Sequence, residues 1–279
     1  MAGSALMLGL STRGARAIAY GHASFSTMVC DRGMLVVDFC LATTVPYLVQ
    51  LLIWQYVYQE QNGSDIAGFG YHQLVFYYAY ALALARLNNG YDVIAQLSAH
   101  IHEGRLEVQL TKPFPYPLQK LFGFLGESSL YFLPLLIILL VQVVHSGAPA
   151  VPHNPTYVLG MAALLVLSQI LCFTLSFCIG LASFWIVRSG ILLTLLTTLS
   201  ALLSGLLLPP DLWPSFLQPV MAWNPLRFMV AAPAELMVKP DNELLLWSVV
   251  VSFAYCVICA SLACLAWRKS LESYHSVGG

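Results

Sequence analysis

The chain has 279 residues, of which 59% are hydrophobic and only 9% are charged. An ordinary soluble domain carries about 25% charged residues, so this chain has too little charge to cover a water-exposed surface, and a soluble enzyme is excluded as the leading class. The formal net charge of −1 also gives nucleic acid no electrostatic footprint to bind.

Residues 1–32 come before the first long apolar segment, and we expect them to lie in the cytoplasm. They do not read as a cleavable signal peptide, because Arg13 and Arg16 follow the weak apolar stretch instead of preceding it. Apolar positions such as Ile18 and Phe25 fit a helix that lies in the membrane interface. A partly ordered tail fits the same residues, so both interpretations stay open.

Six segments are apolar enough to cross a bilayer, whose hydrocarbon core of about 30 Å takes about 20 helical residues. Their intervals are 33–57, 71–87, 122–144, 157–187, 190–208 and 244–267. Helices satisfy their own backbone hydrogen bonds in lipid, and the sequence lacks the alternation that a membrane β-barrel requires. The sequence therefore predicts an all-α integral membrane domain of six transmembrane helices over residues 33–267, followed by a cytoplasmic tail at 268–279.

The basic residues predict the orientation, because cytoplasmic loops carry an excess of Lys and Arg. With both termini in the cytoplasm, only Arg227 and Lys239 of the 12 basic residues lie outside. The first outer loop, residues 58–70, carries Glu60 and Asp65 and no basic residue. The inverted topology would place most basic residues outside and is rejected.

The sequence offers no catalytic site and no metal site. No lysine completes the Gly-Lys-Ser/Thr of a phosphate-binding loop, so the chain cannot hydrolyse ATP through one. An intramembrane serine protease built on Ser204 would need a histidine at matching depth, which the last span lacks. His100 and His102 are two residues apart and point to different helix faces, so we expect solvated side chains instead of metal ligands.

Three ionisable residues fall inside the predicted spans: Asp38, Arg86 and Glu127. An ion-coupled carrier or channel would use such groups as a proton or sodium relay. Each lies near the cytoplasmic end of its span and none lies at the bilayer midplane, so snorkelling towards water explains them better. Ion-coupled transport therefore stays the alternative function.

The connection between the second and third spans, residues 88–121, is long and polar and is predicted to be a cytoplasmic loop. Within it, residues 101–112 fit a short amphipathic helix with apolar Leu106 and Val108 among charged neighbours. Three prolines then stop the helix and stiffen the chain before the third span: Pro113, Pro115 and Pro117. Docking on a soluble partner and lying on lipid both fit this element.

Two motifs resemble those of a known family. Residues 104–113, Gly-Arg-Leu-Glu-Val-Gln-Leu-Thr-Lys-Pro, resemble the G-x-L-(D/E)-x-x-L-x-(K/R)-P signature of ABC-2-type exporter permeases. In the long, proline-rich outer connection 209–243, residues 224–239 resemble the (N/L)-P-(L/F)-R-(Y/F), P-x-E and G-K stretch of an uncharacterised ABC-2 permease branch. Val238 stands where that stretch has glycine. The resemblance covers about residues 30–268.

The resemblance implies a permease subunit of an ATP-driven exporter in the bacterial plasma membrane. It would pair with a second permease subunit, more often a non-identical one, and with two separate ATPase subunits that bind ATP and Mg, while this chain would hold no cofactor. The inner connection would act as a coupling helix that inserts into the ATPase. The residues expected in that contact are His102, Glu103, Gly104, Arg105, Leu106, Glu107, Lys112 and Pro113.

The resemblance also implies short re-entrant helices at the outer face, near the exit of the pathway. They would contain Pro209, Pro210, Trp213, Asn224, Pro225, Arg227, Pro233 and Glu235. The pathway would use the first, second and fifth spans, whose sparse hydroxyl groups suit an amphipathic substrate. The candidate lining residues are Tyr77, Tyr78, Thr194, Thr197, Thr198 and Ser204. Small hydroxyls also pack helices and tyrosines also mark membrane interfaces, so that role stays open.

Overall fold

The fold is helical throughout the computed structural model, which describes residues 2–61, 65–66, 68–146, 154–186 and 189–272. Within these residues, extended backbone is paired only at an isolated bridge between Ile66 and Phe69 in the predicted first outer loop. The all-α prediction is therefore confirmed. The predicted second outer loop around His153, the turn at Arg188 and residues 273–279 of the predicted tail lie outside the described residues.

The described helices follow one another with short connections. In chain order they are α1 (Ala2–Cys30), α2 (Arg32–Phe39), α3 (Val45–Glu60), α4 (Tyr71–Leu87), α5 (Tyr91–His102), α6 (Leu106–Leu110), α7 (Tyr116–Ser128), α8 (Phe132–Ser146), α9 (Pro155–Leu181), α10 (Ser189–Leu203), α11 (Gln218–Trp223), α12 (Ala231–Val238) and α13 (Asn242–Glu272). A π-helix joins α2 to α3 at Cys40–Thr44, and a 3-10 turn joins α7 to α8.

Four helical stretches among the described residues are long and apolar enough to cross a membrane: Val36–Glu60, Tyr116–His145, Pro155–Phe184 and Asn242–Glu272. They correspond to the predicted first, third, fourth and sixth spans. The predicted second span forms α4, whose 17 residues are fewer than the roughly 20 that a perpendicular crossing takes. The predicted end of the fifth span, residue 208, is wrong. The helix α10 ends at Leu203, and Gly205 adopts a φ of +85°, a conformation that ends helices.

The connection between the second and third spans is mostly helical and contains more helix than the one short amphipathic helix that the sequence predicted for it. Residues Tyr91–His102 form α5 because Val93, Leu97 and Ile101 lie on one face, which is buried. Pro117 lies within the third span, and not before it as the sequence had predicted. It lies in the first turn of α7, where a missing N–H leaves no helical bond unmade, so the third span begins at Tyr116 instead of Phe122.

The core of the bundle surrounds α4, whose buried side chains include Tyr77, Tyr80 and Leu84. Helices α9 and α13 pack against each other, and α5 packs on α9. The α5 contact is close, because a Cβ on Gly90 would lie less than 3.0 Å from the Cβ and Oγ of Ser176. Small residues therefore set the spacing of these helices, as in other membrane bundles.

Residues Ala2–Cys30 form one helix, α1, in the structure. This helix packs on α7, where a Cβ on Gly126 would lie less than 3.0 Å from three backbone atoms of Gly21. Ile18 is 74% exposed and Phe25 is 37% exposed, so α1 presents apolar surface away from α7. Such a face suits a helix that lies on a membrane.

Candidate functional site

The first candidate site is the inner turn, residues 102–113, which connects α5 to α6 and continues towards α7. Gly104 has a φ of +68°, a left-handed conformation that glycine adopts without a Cβ clash. Beside it, Arg105 Nε donates to Glu103 Oε2 at 2.7 Å, and both side chains are exposed. The turn therefore presents a paired base and acid to solvent on a backbone of defined shape.

Buried side chains on each side hold the inner turn in place. Leu106 is fully buried, and Phe114 is buried against the ring of Tyr20, with a centroid distance of 5.6 Å. Arg16 Nη1 donates to the carbonyl oxygen of Pro113 at 2.8 Å, so α1 supports the turn directly. The turn also exposes His102, Glu103, Arg105, Glu107, Val108, Lys112 and Pro113. Of the predicted coupling residues, Leu106 is thus an anchor, while most of the others face outwards.

Gly104 should tolerate asparagine better than valine. A Cβ at this position meets nothing within 4 Å, so the cost of a substitution is backbone strain and not collision. A left-handed residue other than glycine costs about 1–2 kcal/mol, and asparagine adopts that conformation more readily than a β-branched residue. The thermal unfolding midpoint of the purified chain in detergent should therefore fall more for Gly104→Val than for Gly104→Asn. Equal losses would contradict a conformational role.

The second candidate site is the outer fold-back, residues 204–241, in which the chain returns into the bundle before α13. It consists of a 3-10 turn at Pro210–Leu212, then α11, a second 3-10 turn at Pro225–Met229, and α12. Prolines stand at the starts of its first three helical turns, where they need no N–H partner. Short helices are thus observed where the sequence predicted them, while their re-entry from the outer face stays a prediction.

Asn224 fixes the middle of the fold-back. Its Oδ1 accepts from the backbone N–H of Leu226 at 3.0 Å and caps the 3-10 turn. Its Nδ2 donates to the carbonyl oxygen of Leu203 at 2.6 Å, the last residue of α10. One side chain therefore joins the end of the fifth predicted span to the returning segment.

An ion pair links the second 3-10 turn to α12. Arg227 Nη2 lies 2.8 Å from Glu235 Oε2, and the side chains are only 11% and 7% exposed.

Val238, which occupies the position where the family stretch has glycine, is the last residue of α12 and needs no glycine conformation. The next residue, Lys239, bonds to the carbonyl oxygen of Gly68 and lies over the ring of Phe69, and burial lowers its pKa.

Tyr77 and Tyr78 face the core of the bundle, and their predicted place in the pathway stays a prediction. Their hydroxyl groups donate to the carbonyl oxygens of Gly205 at 2.8 Å and Leu207 at 3.1 Å. Both side chains are at most 1% exposed. They therefore hold the extended segment after α10 against α4.

The hydroxyl groups on α10 divide into two sets. Thr194, Thr197 and Thr198 are exposed, and the hydroxyls of Thr194 and Thr197 donate to backbone carbonyls of the preceding turn, at 2.9 and 3.0 Å. Ser204 is buried, and its carbonyl oxygen accepts from the N–H of Ala231 at 3.1 Å. Thr197 and Ser204 both line a cavity of about 170 Å³ between α4, α10 and the fold-back. The threonines and Ser204 thus remain candidate lining residues, and Ser204 also holds the fold-back.

A third polar group lies at the inner ends of the first three predicted spans. Arg86 pairs with Asp38, and the Tyr131 hydroxyl donates to Asp38 at 3.2 Å, so independent snorkelling does not explain these two charges. The pair borders a cavity of about 470 Å³ that Asp92 and Glu127 also line. Burial raises the pKa of Asp92, and Arg86 opposes that rise.

No three His, Cys, Asp or Glu side chains among the described residues are placed to hold a metal ion.

Asn88 is a structural residue that the sequence reading missed. Its Nδ2 donates to the carbonyl oxygen of Met229 at 2.7 Å and lies 3.3 Å from Ser168 Oγ, so it joins α4, α9 and the fold-back. The available signal was the run Asn88-Asn89-Gly90, which marks a turn between two helical patterns. That signal predicts a chain break but does not identify the distant carbonyl that the amide bonds.

A family model described as ABC-2 family transporter protein matches residues 44–278, which include the inner turn and the outer fold-back. No curated protein matched the chain.

Proposed function

The chain belongs to the ABC-2 family of transporter proteins, and we propose that it is a permease subunit that exports its substrate on energy supplied by separate ATPase subunits. Membership makes it a membrane component of an ABC transporter, in which ATP hydrolysis belongs to partner proteins. The observation that carries the proposal is the inner turn, an exposed element with paired charges and buried anchors at Leu106 and Phe114.

In the proposed mechanism, the inner turn transmits the movement of the ATPase subunits to the membrane spans. ATP binding closes two ATPase subunits, and the movement enters the permease through residues 102–113. From there α5 carries it to α9 and α10, on which it packs, and α7, which follows the turn, carries it into the third span. The first and fifth spans then shift against a second permease subunit, which we expect to be non-identical, and open a pathway that the exposed threonines of α10 line.

The proposed topology has six spans with both termini in the cytoplasm of a bacterial cell. The charge distribution supports this orientation, because only Arg227 and Lys239 of the 12 basic residues would lie outside. The fold-back would then enter the membrane from the outer face, next to the pathway exit. No cofactor is proposed for this chain, since ATP and Mg would be bound by the ATPase subunits.

Charge reversal in the inner turn tests this function. Glu103→Arg or Arg105→Glu should weaken ATPase copurification by about tenfold, because each change places a like charge against the partner's surface. Pull-down of the ATPase and transport-dependent ATP hydrolysis in proteoliposomes measure the effect. Arg268→Glu, which reverses an exposed charge at the end of α13, is the matched control and should behave as wild type.

Normal copurification and normal ATPase stimulation by both turn variants would overturn the coupling assignment. An ion-coupled carrier, the alternative function, predicts instead that Asp38→Asn or Glu127→Gln abolishes transport and that no ATPase copurifies. Asp38 already has a partner in Arg86, which favours a structural role for it. The two sets of variants therefore distinguish the two functions.

A further inference from the structure

A polar pocket lies beside the inner turn, between α1, α5 and α7. Its volume is about 260 Å³. The groups that the argument uses are Tyr20, Gln96, His100, Lys112, Lys120 and Glu127, all in its lining. We call this site the lysine pocket.

The lining of the lysine pocket has an excess of basic over acidic side chains. Two lysines, Lys112 and Lys120, and one carboxylate, Glu127, line the pocket, so its lining side chains carry a formal net charge of +1. Neither lysine takes part in an ion pair among the described residues. Lys120 Nζ donates instead to a neutral acceptor, Gln96 Oε1, at 2.6 Å. The net charge of the pocket therefore favours binding of an anion.

His100 contributes hydrogen bonding to this pocket and not charge. Its Nδ1 lies 2.8 Å from the Tyr116 hydroxyl. Burial lowers the pKa of His100, and the charge of Lys120 lowers it further, so the imidazole is neutral at neutral pH. The two lysines are thus the groups whose removal should change anion affinity.

The position of the pocket indicates where its anion comes from. Lys120 lies four residues after the start of a helix that is long enough to span the membrane, which places it about 6 Å from that end. The opposite wall is α1, whose Ile18 and Phe25 present an apolar face away from α7. A basic pocket between the first turns of a span and a helix that lies in the membrane interface would be at the depth of phospholipid headgroups.

We propose that the lysine pocket binds the phosphate of an anionic phospholipid from the leaflet on which α1 lies. Lys112 and Lys120 act as point charges towards the phosphate, and the carboxamide of Gln96 and the hydroxyl of Tyr20 are placed to bond its oxygens or the headgroup. The leaflet is the cytoplasmic one in the orientation proposed above. Because the site lies beside the inner turn, lipid would stabilise the turn without any ATPase being present.

Titration of the purified full chain in a zwitterionic detergent tests this proposal. Short-chain phosphatidylglycerol should raise the thermal unfolding midpoint more than short-chain phosphatidylcholine at equal concentration. Lys120→Gln and Lys112→Gln should each weaken the phosphatidylglycerol effect by about fivefold. Arg268→Gln, which removes one exposed cation at the end of α13, should leave it unchanged.

Three results would overturn the proposal. Equal stabilisation by inorganic phosphate would indicate a site for free anions. An equal loss in Arg268→Gln would indicate diffuse attraction to the whole basic surface. Lost ATPase copurification in Lys120→Gln, with unchanged phosphatidylglycerol titration, would assign the lysines to protein docking. Because the titration contains no ATPase, its failure is also distinguishable from failure of the proposed transport function.

Discussion

Replacing Arg227 with methionine is expected to lower the free energy of unfolding by about 3–5 kcal/mol. Arg227 Nη2 lies 2.8 Å from Glu235 Oε2, and the Glu235 side chain is only 7% exposed. Removal of the guanidinium leaves a buried carboxylate without an opposite charge, in surroundings that solvate charge poorly. Thermal unfolding in detergent, followed by fluorescence-detected size exclusion, measures the loss.

The double variant Arg227→Met, Glu235→Leu separates charge from packing. A buried ion pair roughly breaks even against apolar residues of similar volume, so removing both charges should recover most of the stability. Arg227→Lys keeps the charge but loses the planar guanidinium, and it should give an intermediate loss. If the single and double variants are equally unstable, lost packing explains the effect and the ion pair does not.

This pair also illustrates what the sequence could not predict. The resemblance grouped Arg227 and Glu235 in one outer element, but eight residues along a continuous helix would separate them by about 12 Å. They meet because Val230, at φ −130° and ψ −64°, breaks the helix between them. That break depends on bonds to distant segments, such as the one from the Ala231 N–H to Ser204.

The long apolar segments were predictable, because composition alone requires them to leave water. The locations of α8, α9 and α13 follow directly from that rule. The burial of the α4 tyrosines could not be predicted from composition, since tyrosine is amphipathic and its pattern also fits a membrane interface. The acceptors of Tyr77 and Tyr78 lie 128 and 129 positions later in the chain, so their burial is a tertiary property. For the same reason the early end of α10 was missed.

Replacing Gly126 with leucine is expected to push α1 away from α7 and to uncouple the inner turn. A Cβ on Gly126 would lie less than 3.0 Å from the carbonyl oxygen, carbonyl carbon and Cα of Gly21, so the helix backbones have to separate. Overpacking of this kind costs about 1–3 kcal/mol. Limited trypsin digestion within α1 should become faster, and stimulation of the ATPase should be lost.

Gly123→Ala is the matched control on the same helix. Its new Cβ would meet only the Ser24 hydroxyl oxygen at 3.2 Å, which can rotate away, so we expect near wild-type behaviour. A protected α1 with normal coupling in Gly126→Leu would contradict the supporting role of α1.

The two readouts together separate support from docking. Arg16 and Tyr20 on α1 hold Pro113 and Phe114, whereas the exposed Glu103 and Arg105 pair with each other. Displacement of α1 would therefore leave the proposed docking surface chemically intact and remove only the contacts that support it. ATPase that still copurifies with Gly126→Leu but is no longer stimulated would show that transmission through the turn needs this support, and that binding alone does not supply it.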